Sequence, residues 1–224
     1  MKIPRYAIIP TRNRPEYLIA LLRSLQGQVD LVYVIDNASD VPLSSLWLRS
    51  QVDVRTIVKR DDTQPPHLYK MWNDALKTIY TTAKIMQEAL FDVAIFNDDT
   101  VLPDGWYDYV SAGLRGTGAA IACSTGFSGV PFVKTQRDNN IGTRMTPWAF
   151  VMRGEIGLLA DESMRWWWGD TDLDWQACER GGVLHLPGYA TQNALANSTT
   201  VGALAEQAGH DGRTFATKWG MRPW

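Results

Sequence analysis

The sequence lacks the features that mark several common classes of protein. Its two cysteines, Cys123 and Cys178, lie far apart and form no Cys-x-x-Cys pair. This spacing excludes a zinc knuckle and argues against a disulfide framework, so we interpret both as buried apolar side chains. No apolar run approaches the roughly 18 residues that span a bilayer, and residues 1–5 lead into a strand-like segment without a signal-peptide pattern. We therefore expect a cytoplasmic protein without membrane insertion.

A strong net charge and the common nucleotide-binding loops are also absent. The chain has 22 Lys and Arg against 24 Asp and Glu, a net charge of −2, and no basic run. Composition thus gives no long-range attraction for nucleic acid or an anionic membrane. Neither a Gly-x-x-x-x-Gly-Lys-Ser/Thr loop nor a Gly-x-Gly-x-x-Gly turn after the first predicted strand is present. A P-loop ATPase and a dinucleotide dehydrogenase are therefore disfavoured.

The apolar residues that are present alternate between strand-like runs and helical stripes. Short apolar runs predict strands at 6–10, 31–35, 52–58, 93–96, 119–123, 148–152 and 183–186. Helical spacing predicts helices at 18–25, 68–86 and 170–180, and a short helix from Val201. Residues 124–145 show no periodicity and predict a long functional or mobile loop. This order predicts a single α/β domain over residues 1–224, with a mostly parallel central sheet flanked by helices.

Polar clusters follow three of the predicted strands, at residues 11–14, 36–40 and 97–100. Ligands of open α/β sheets bind at the carboxyl ends of the strands. The adjacent carboxylates of Asp98 and Asp99 repel each other unless a divalent cation lies beside them, and hard oxygen ligands suit Mn²⁺ or Mg²⁺. Such a cation would neutralise a diphosphate. The alternative is that Asp36 and Asp98 only open turns or cap helices.

Four segments, in this order, resemble glycosyltransferase family 2: IPTRNR at 9–14, VIDNASD at 34–40, NDD at 97–99 and GDTDLD at 169–174. The resemblance extends from residue 6 to about residue 186. It implies the Rossmann-like GT-A fold, with a nucleotide-binding half at about 1–100 and an acceptor-binding half at about 101–224. It also implies sugar transfer from a nucleoside diphosphate sugar, most often a UDP-sugar, to an acceptor hydroxyl with inversion. Mn²⁺ or Mg²⁺ would be the cofactor.

The resemblance also implies roles for individual residues. The predicted donor-site residues are Pro10, Thr11, Arg14, Asp36, Asn37, Asn73 and Asp98, with Asp36 at the nucleobase and Asn73 near the ribose and diphosphate. Asp99 would bind the metal, although Asn97 replaces the family's first aspartate and removes one negative charge. Asp170 matches the catalytic base, and Asp172 is the second candidate. On a helix, Asp170 and Asp174 share a face whereas Asp172 points elsewhere; the alternative for Asp170 is an N-cap.

Three consecutive tryptophans, Trp166, Trp167 and Trp168, precede this motif. Because aromatic faces stack on sugar rings, we expect one of them to contact the acceptor or the donor sugar. Three neighbours cannot all face one way, so at least one should lie in the core. In the tail, His210 is a candidate third metal ligand, as in some GT-A enzymes. Arg213 and Lys218 are candidates for a diphosphate clamp.

Two other classes stay open: a nucleotidyltransferase acting on a sugar phosphate, and a non-catalytic domain that binds a nucleotide sugar. The former class usually begins with a Gly-rich loop, whereas TRNRP follows the first strand here. The acceptor also stays open, among a glycan, a protein side chain, a lipid-linked glycan and a hydroxylated nucleic-acid base. The sequence does not fix the oligomeric state.

Overall fold

The structure is a computed structural model that describes residues 2–124, 129–188, 192–193 and 203–220. The strands are Arg5–Thr11 (β1), Leu31–Asn37 (β2), Thr56–Asp61 (β3), Asp92–Phe96 (β4), Thr100–Val101 (β5), Ile121–Ser124 (β6), Phe132–Lys134 (β7), Ala149–Arg153 (β8), Val183–Leu186 (β9) and Gln192–Asn193 (β10). The helices are Pro15–Ser24 (α1), Ser45–Gln51 (α2), Leu68–Ile85 (α3), Trp106–Thr117 (α4), Gly169–Cys178 (α5) and Ala203–Trp219 (α6). No helix in these ranges is long and apolar enough to cross a bilayer.

One sheet organises the described elements, in the order β3-β2-β1-β4-β8-β6-β9-β7. β1, β2, β3 and β4 pair in parallel, and β9 pairs in parallel with β6. β8 lies antiparallel to both β4 and β6, and β7 lies antiparallel to β9. All strands of this sheet except β7 and β8 therefore point the same way, which confirms the predicted mostly parallel sheet.

Helices cover both faces of the sheet, which explains why the central strands are apolar throughout. On one face, Ile8 and Ile95 pack with Trp72 of α3 and Trp175 of α5. On the other face, Ile9, Val34 and Phe96 pack with residues of α1 and α4. The result is a layered α/β core with a covered sheet.

Several predicted boundaries need correction. The predicted strand at 52–58 is wrong in its first half: the unpredicted helix α2 ends at Gln51 with Val52 as its C-cap, and β3 begins only at Thr56. Helix α4 was also missed, although Trp106, Val110 and Leu114 are buried at helical spacing between Gly105 and Gly118. The predicted short tail helix is the 17-residue α6, described from Ala203 onward. The predicted loop at 124–145 contains β7; its residues 125–128, like 201–202 of the tail, lie outside the described part.

Candidate active site

The carboxyl ends of β1, β2 and β4 meet at one edge of the sheet because these strands are parallel neighbours. Thr11 of β1 pairs in register with Asp36 of β2. The Thr11 hydroxyl donates to Oδ2 of Asp98 over 2.7 Å, and Nη1 of Arg14 lies 3.3 Å from Oδ1 of the same carboxylate. The structure thus brings together Thr11, Arg14 and Asp98, which the sequence places in separate segments.

The Asp98–Asp99 pair is a buried acidic site with an open acceptor. Both side chains are nearly inaccessible, at 5% and 6% exposure. Burial raises the pKa of Asp98, against the hydrogen bond from Thr11 and the charge of Arg14. Burial and then the charge of Asp98 raise the pKa of Asp99. Oδ1 of Asp99 is buried and has no hydrogen-bond partner among the described residues.

This chemistry fits Mn²⁺ or Mg²⁺, because a cation would pair with the open oxygen and relieve the repulsion between the two carboxylates. Within residues 2–124, 129–188, 192–193 and 203–220, no group of three His, Cys, Asp or Glu side chains is arranged to hold a metal. Mg²⁺ commonly binds through only one or two carboxylates together with substrate phosphates. The acidic pair therefore fits a cation that is shared with a diphosphate.

Asp36, predicted at the nucleobase, and Asn37, predicted in the same donor site, differ in their hydrogen bonding. Asp36 is fully buried, and its carboxylate accepts from the backbone N–H groups of Ser39 and Leu43, each at 3.0 Å, and from Arg60 at 3.2 Å. Burial acts to raise its pKa, but the bonds from Ser39 and Leu43 outweigh burial and lower it. By contrast, Oδ1 of Asn37 is buried without a partner in the described structure. Oδ1 of Asn37 is therefore available to accept a hydrogen bond from a ligand, whereas the oxygens of Asp36 already accept bonds from the chain.

Asn73 is engaged by the chain itself. Its Nδ2 donates to the carbonyl of Ala160 over 2.7 Å and to Glu162 over 3.0 Å, and its Oδ1 accepts from the N–H of Ala160 at 3.0 Å. These bonds clamp the segment before α5 against α3. The predicted contact between Asn73 and the nucleotide stays a prediction, and it would require these bonds to be replaced.

Asp170 lies in the first turn of α5, where the helix dipole favours a negative charge. It is 5% exposed, and its Oδ2 accepts a hydrogen bond from Nη2 of Arg144. No sequence pattern pointed to Arg144, because this residue lies in the segment without periodicity. The predicted base therefore lies beside a guanidinium group, at the start of a helix.

Asp172 faces the opposite side of α5 and is fully buried. Its Oδ1 accepts from Nζ of Lys218 at 2.7 Å and from the indole N–H of Trp219 at 2.9 Å. Its Oδ2 accepts from the N–H of Asp161 and the amide of Gln176. Both oxygens are occupied, so a base role for Asp172 would require release from four donors. Lys218 also pairs with Asp161 at 3.1 Å, so its charge is already matched by two carboxylates.

The tryptophan run is fixed by α6. Asp211, which is fully buried, accepts from the backbone N–H groups of Trp166 and Trp167 at 2.9 and 3.0 Å. No sequence pattern pointed to this role of Asp211. The Trp168 indole donates to the carbonyl of Ala208 over 3.2 Å and packs against the core, as expected for at least one of the three. Trp166 and Trp167 are partly exposed, and their contact with a sugar stays a prediction.

The predicted tail residues His210, Arg213 and Lys218 line one surface cavity of about 360 Å³ beside Asp161. Nδ1 of His210 lies 3.6 Å from Oδ1 of Asp211, and the His210 side chain is 61% exposed. No metal-type cluster within the described residues joins His210 to Asp99. Metal binding by His210 and a clamp by Arg213 and Lys218 stay predictions.

Comparison with solved structures identifies the fold. No protein-family model matches the sequence, and no curated protein matches it. The chain has the GT-A glycosyltransferase fold, which confirms the prediction. It is similar to S. aureus TarS, a GT-A glycosyltransferase: residues 1–349 of TarS give a TM-score of 0.61 at 14% identity, covering 96% of this chain and 72% of that one. The same region of TarS in complex with UDP-GlcNAc gives a TM-score of 0.67 at 15% identity, and the match covers 96% of this chain and 66% of that one. Against a longer TarS chain the TM-score is 0.62 at 16% identity, and the match spans only 39% of that chain.

Proposed function

We propose that this chain is a glycosyltransferase that moves a sugar from a UDP-sugar to an acceptor hydroxyl with inversion. The observation that carries the proposal is the acidic pair Asp98–Asp99, with an open buried oxygen, at the carboxyl edge of a GT-A sheet. The fold adds support, because structures of S. aureus TarS contain UDP-GlcNAc and UDP.

Donor recognition would begin at the end of β2. A carboxamide offers an acceptor and two donors, so it can both accept from N3–H of uracil and donate to a neighbouring carbonyl. Asn37 has the unused buried acceptor, whereas the oxygens of Asp36 already bind Ser39, Leu43 and Arg60. In this arrangement Asn37 forms hydrogen bonds with the nucleobase, and Asp36 stabilises the turn that follows β2.

The diphosphate would lie at Arg14, Asp98 and Asp99. Asp99, with Asp98 beside it, would hold Mn²⁺ or Mg²⁺, and the bound cation would offset the charge that develops on the leaving diphosphate. Arg14 is 35% exposed at its side chain and already lies in this cluster. Its guanidinium can therefore turn towards a phosphate while Thr11 keeps Asp98 in place.

The chemical step would use Asp170 as general base. The acceptor oxygen forms a bond to the anomeric carbon, and the bond between that carbon and the diphosphate oxygen breaks. The hydroxyl proton passes to Asp170, and the nucleoside diphosphate leaves with the bonding electrons. A single displacement of this kind inverts the anomeric centre.

Nucleotide release from UDP-, GDP- and TDP-sugars, measured without an acceptor as slow donor hydrolysis, tests the proposal. We expect release from a UDP-sugar, and we expect Asp170→Asn to reduce it by about 100-fold or more, because a positioned base contributes on the order of 10²–10⁴. Asp108→Asn is the matched control, since that carboxylate is 69% exposed on α4 and should leave the rate unchanged. Pyrophosphate release from a nucleoside triphosphate and a sugar phosphate would instead establish a nucleotidyltransferase. Donor binding without turnover would establish a non-catalytic domain.

A further inference from the structure

Within the part of the chain that the structure describes, the carboxylate of Asp170 is held on one side. Nη2 of Arg144 donates to Oδ2, and no donor among the described residues reaches Oδ1. The pair is largely enclosed, with side-chain exposures of 20% for Arg144 and 6% for Asp170. A base needs this arrangement: one oxygen fixed by a partner, and the other open to the proton that it accepts.

The backbone on both sides of Arg144 is anchored to a single buried ion pair. Lys134 of β7 and Asp174 of α5 lie 2.9 Å apart, with side-chain exposures of 5% and 0%. Nζ of Lys134 also donates to the carbonyl of Thr143 over 3.1 Å, and Oδ2 of Asp174 accepts from the N–H of Met145 at 2.8 Å. The residues before and after Arg144 are thus tied to one pair, which fixes where its guanidinium can reach.

The backbone that carries Asp170 is equally constrained. A Cβ on Gly169 would lie 2.4 Å from a ring atom of Tyr69, so only glycine fits there. The Tyr69 hydroxyl donates to the carbonyl of Trp166 over 3.1 Å. Trp168 has φ of +73°, a left-handed conformation that costs a bulky residue about 1–3 kcal/mol and persists only where the surroundings impose it. The start of α5 is therefore held against both α3 and α6.

We infer that Arg144 is a positioning residue for the general base: it holds Oδ2 of Asp170, so that Oδ1 faces the acceptor hydroxyl. This inference rests on the proposed function and names a residue that neither the sequence pattern nor the fold comparison assigns. Asp174 and Lys134 act indirectly, because they bind the backbone of the residues on either side of Arg144. A displacement of about 1 Å at a reacting group lowers a rate by about 100-fold, so losing the guanidinium should slow the reaction through the position of Asp170.

A double-mutant cycle of Arg144→Gln and Asp170→Asn tests this inference through nucleotide release from the UDP-sugar. We expect Arg144→Gln to lower kcat by about 10- to 100-fold, while KM for the donor and the Kd for UDP change less than about threefold. We expect Arg144→Gln to have no further effect in the Asp170→Asn background, because Arg144 acts through Asp170. Arg144→Lys should retain part of the rate, since it keeps a cation but not the planar guanidinium. Added methylguanidinium should restore part of the rate to Arg144→Ala.

Three outcomes would overturn the inference. An unchanged kcat in Arg144→Gln removes any positioning role. A raised donor KM with an unchanged kcat makes Arg144 a donor-binding residue. Additive losses of kcat in the cycle, without rescue by methylguanidinium, would mean that Arg144 acts only through general stability. Circular dichroism and the unfolding midpoint of each variant measure that stability separately. An inactive wild-type chain refutes the proposed function, whereas an active wild type with a silent Arg144→Gln refutes only this inference.

Discussion

At the scale of single residues, His185 is the histidine most altered by its surroundings. It is 3% exposed and stacks on the ring of Phe132, with ring centroids 4.7 Å apart. Burial, followed by the charge of Lys134, lowers the pKa of His185 from 6.5 to about 4. The folded protein therefore keeps this imidazole neutral at a pH where the unfolded chain protonates it.

This shift predicts an acid-sensitive stability. Because the folded pKa lies below the unfolded value, the contribution of neutral His185 is complete above pH 6.5 and is lost as the pH falls towards 4. At pH 5 the loss is about 2 kcal/mol, from 1.36 kcal/mol per pKa unit. We expect the free energy of unfolding, measured with urea, to fall between pH 7 and pH 5 by about 2 kcal/mol more in the wild type than in His185→Gln. An equal decrease in the free energy of unfolding of the two proteins would contradict the interpretation that His185 is buried as a neutral imidazole.

Residue type and order were enough to predict which strand ends would meet, but not which polar atoms would stay open. Thr11, Arg14 and Asp98 do come together, because the apolar strands that precede them predict parallel neighbours. The groups that occupy Asp36 and Asn73 are mostly backbone N–H and C=O groups of loops. Sequence patterns do not report such pairings, so the contrast between Asp36 and Asn37 emerges only from the structure.

At the scale of elements, α5 is the helix to which the site is tied. Asp170 and Asp174 both contact the segment that carries Arg144 and Met145, whereas Asp172 binds Lys218 and Trp219 of α6. This confirms the predicted division of the faces. The helix is polar on both sides because each carboxylate has a partner on a neighbouring segment.

Breaking the buried Lys134–Asp174 pair should destabilise the fold. Lys134→Met keeps the apolar stem and removes the cation, which leaves Asp174 buried without its charge partner; we expect a loss of about 3 kcal/mol in the free energy of unfolding. Lys70→Met is the control, because the Lys70–Asp74 pair is a surface i,i+4 pair, with Lys70 44% exposed, and should contribute less than about 1 kcal/mol. Similar losses in the free energy of unfolding of the two variants, measured by denaturant unfolding, would contradict the larger contribution expected from the buried pair.

Two of the elements that the sequence did not predict, α2 and β7, have few buried positions, whereas α4, also unpredicted, buries a full helical stripe. Helix α2 buries only Leu48 among its own residues, and the three-residue β7 is too short to show alternation. β7 belongs to the sheet because it pairs with β9, a contact between remote segments. Strong stripes, such as that of α3, were predicted with their ends nearly right.

At the scale of the whole molecule, the sheet directs its parallel strand ends to one edge, and the chain returns to that edge after β9. Gln192 and Asn193 pair antiparallel with Val101 and Thr100, directly after the acidic pair. A segment from a distant part of the sequence therefore pairs with the strand that directly follows Asp98 and Asp99. In the proposed function, a diphosphate with its cation would be the partner for the charge of this buried pair.

Calorimetric titration of UDP, with Mn²⁺ and with EDTA, tests this central claim most directly. Because the proposal places two carboxylates, those of Asp98 and Asp99, beside the cation, we expect Mn²⁺ alone to bind weakly and to tighten UDP binding by at least about tenfold, or 1.4 kcal/mol. Asp99→Ala should abolish that gain, whereas Asp108→Ala on the surface of α4 should retain it. UDP binding of equal strength with Mn²⁺ and with EDTA would contradict a cation shared between Asp99 and the diphosphate, and no UDP binding under either condition would contradict the donor site itself.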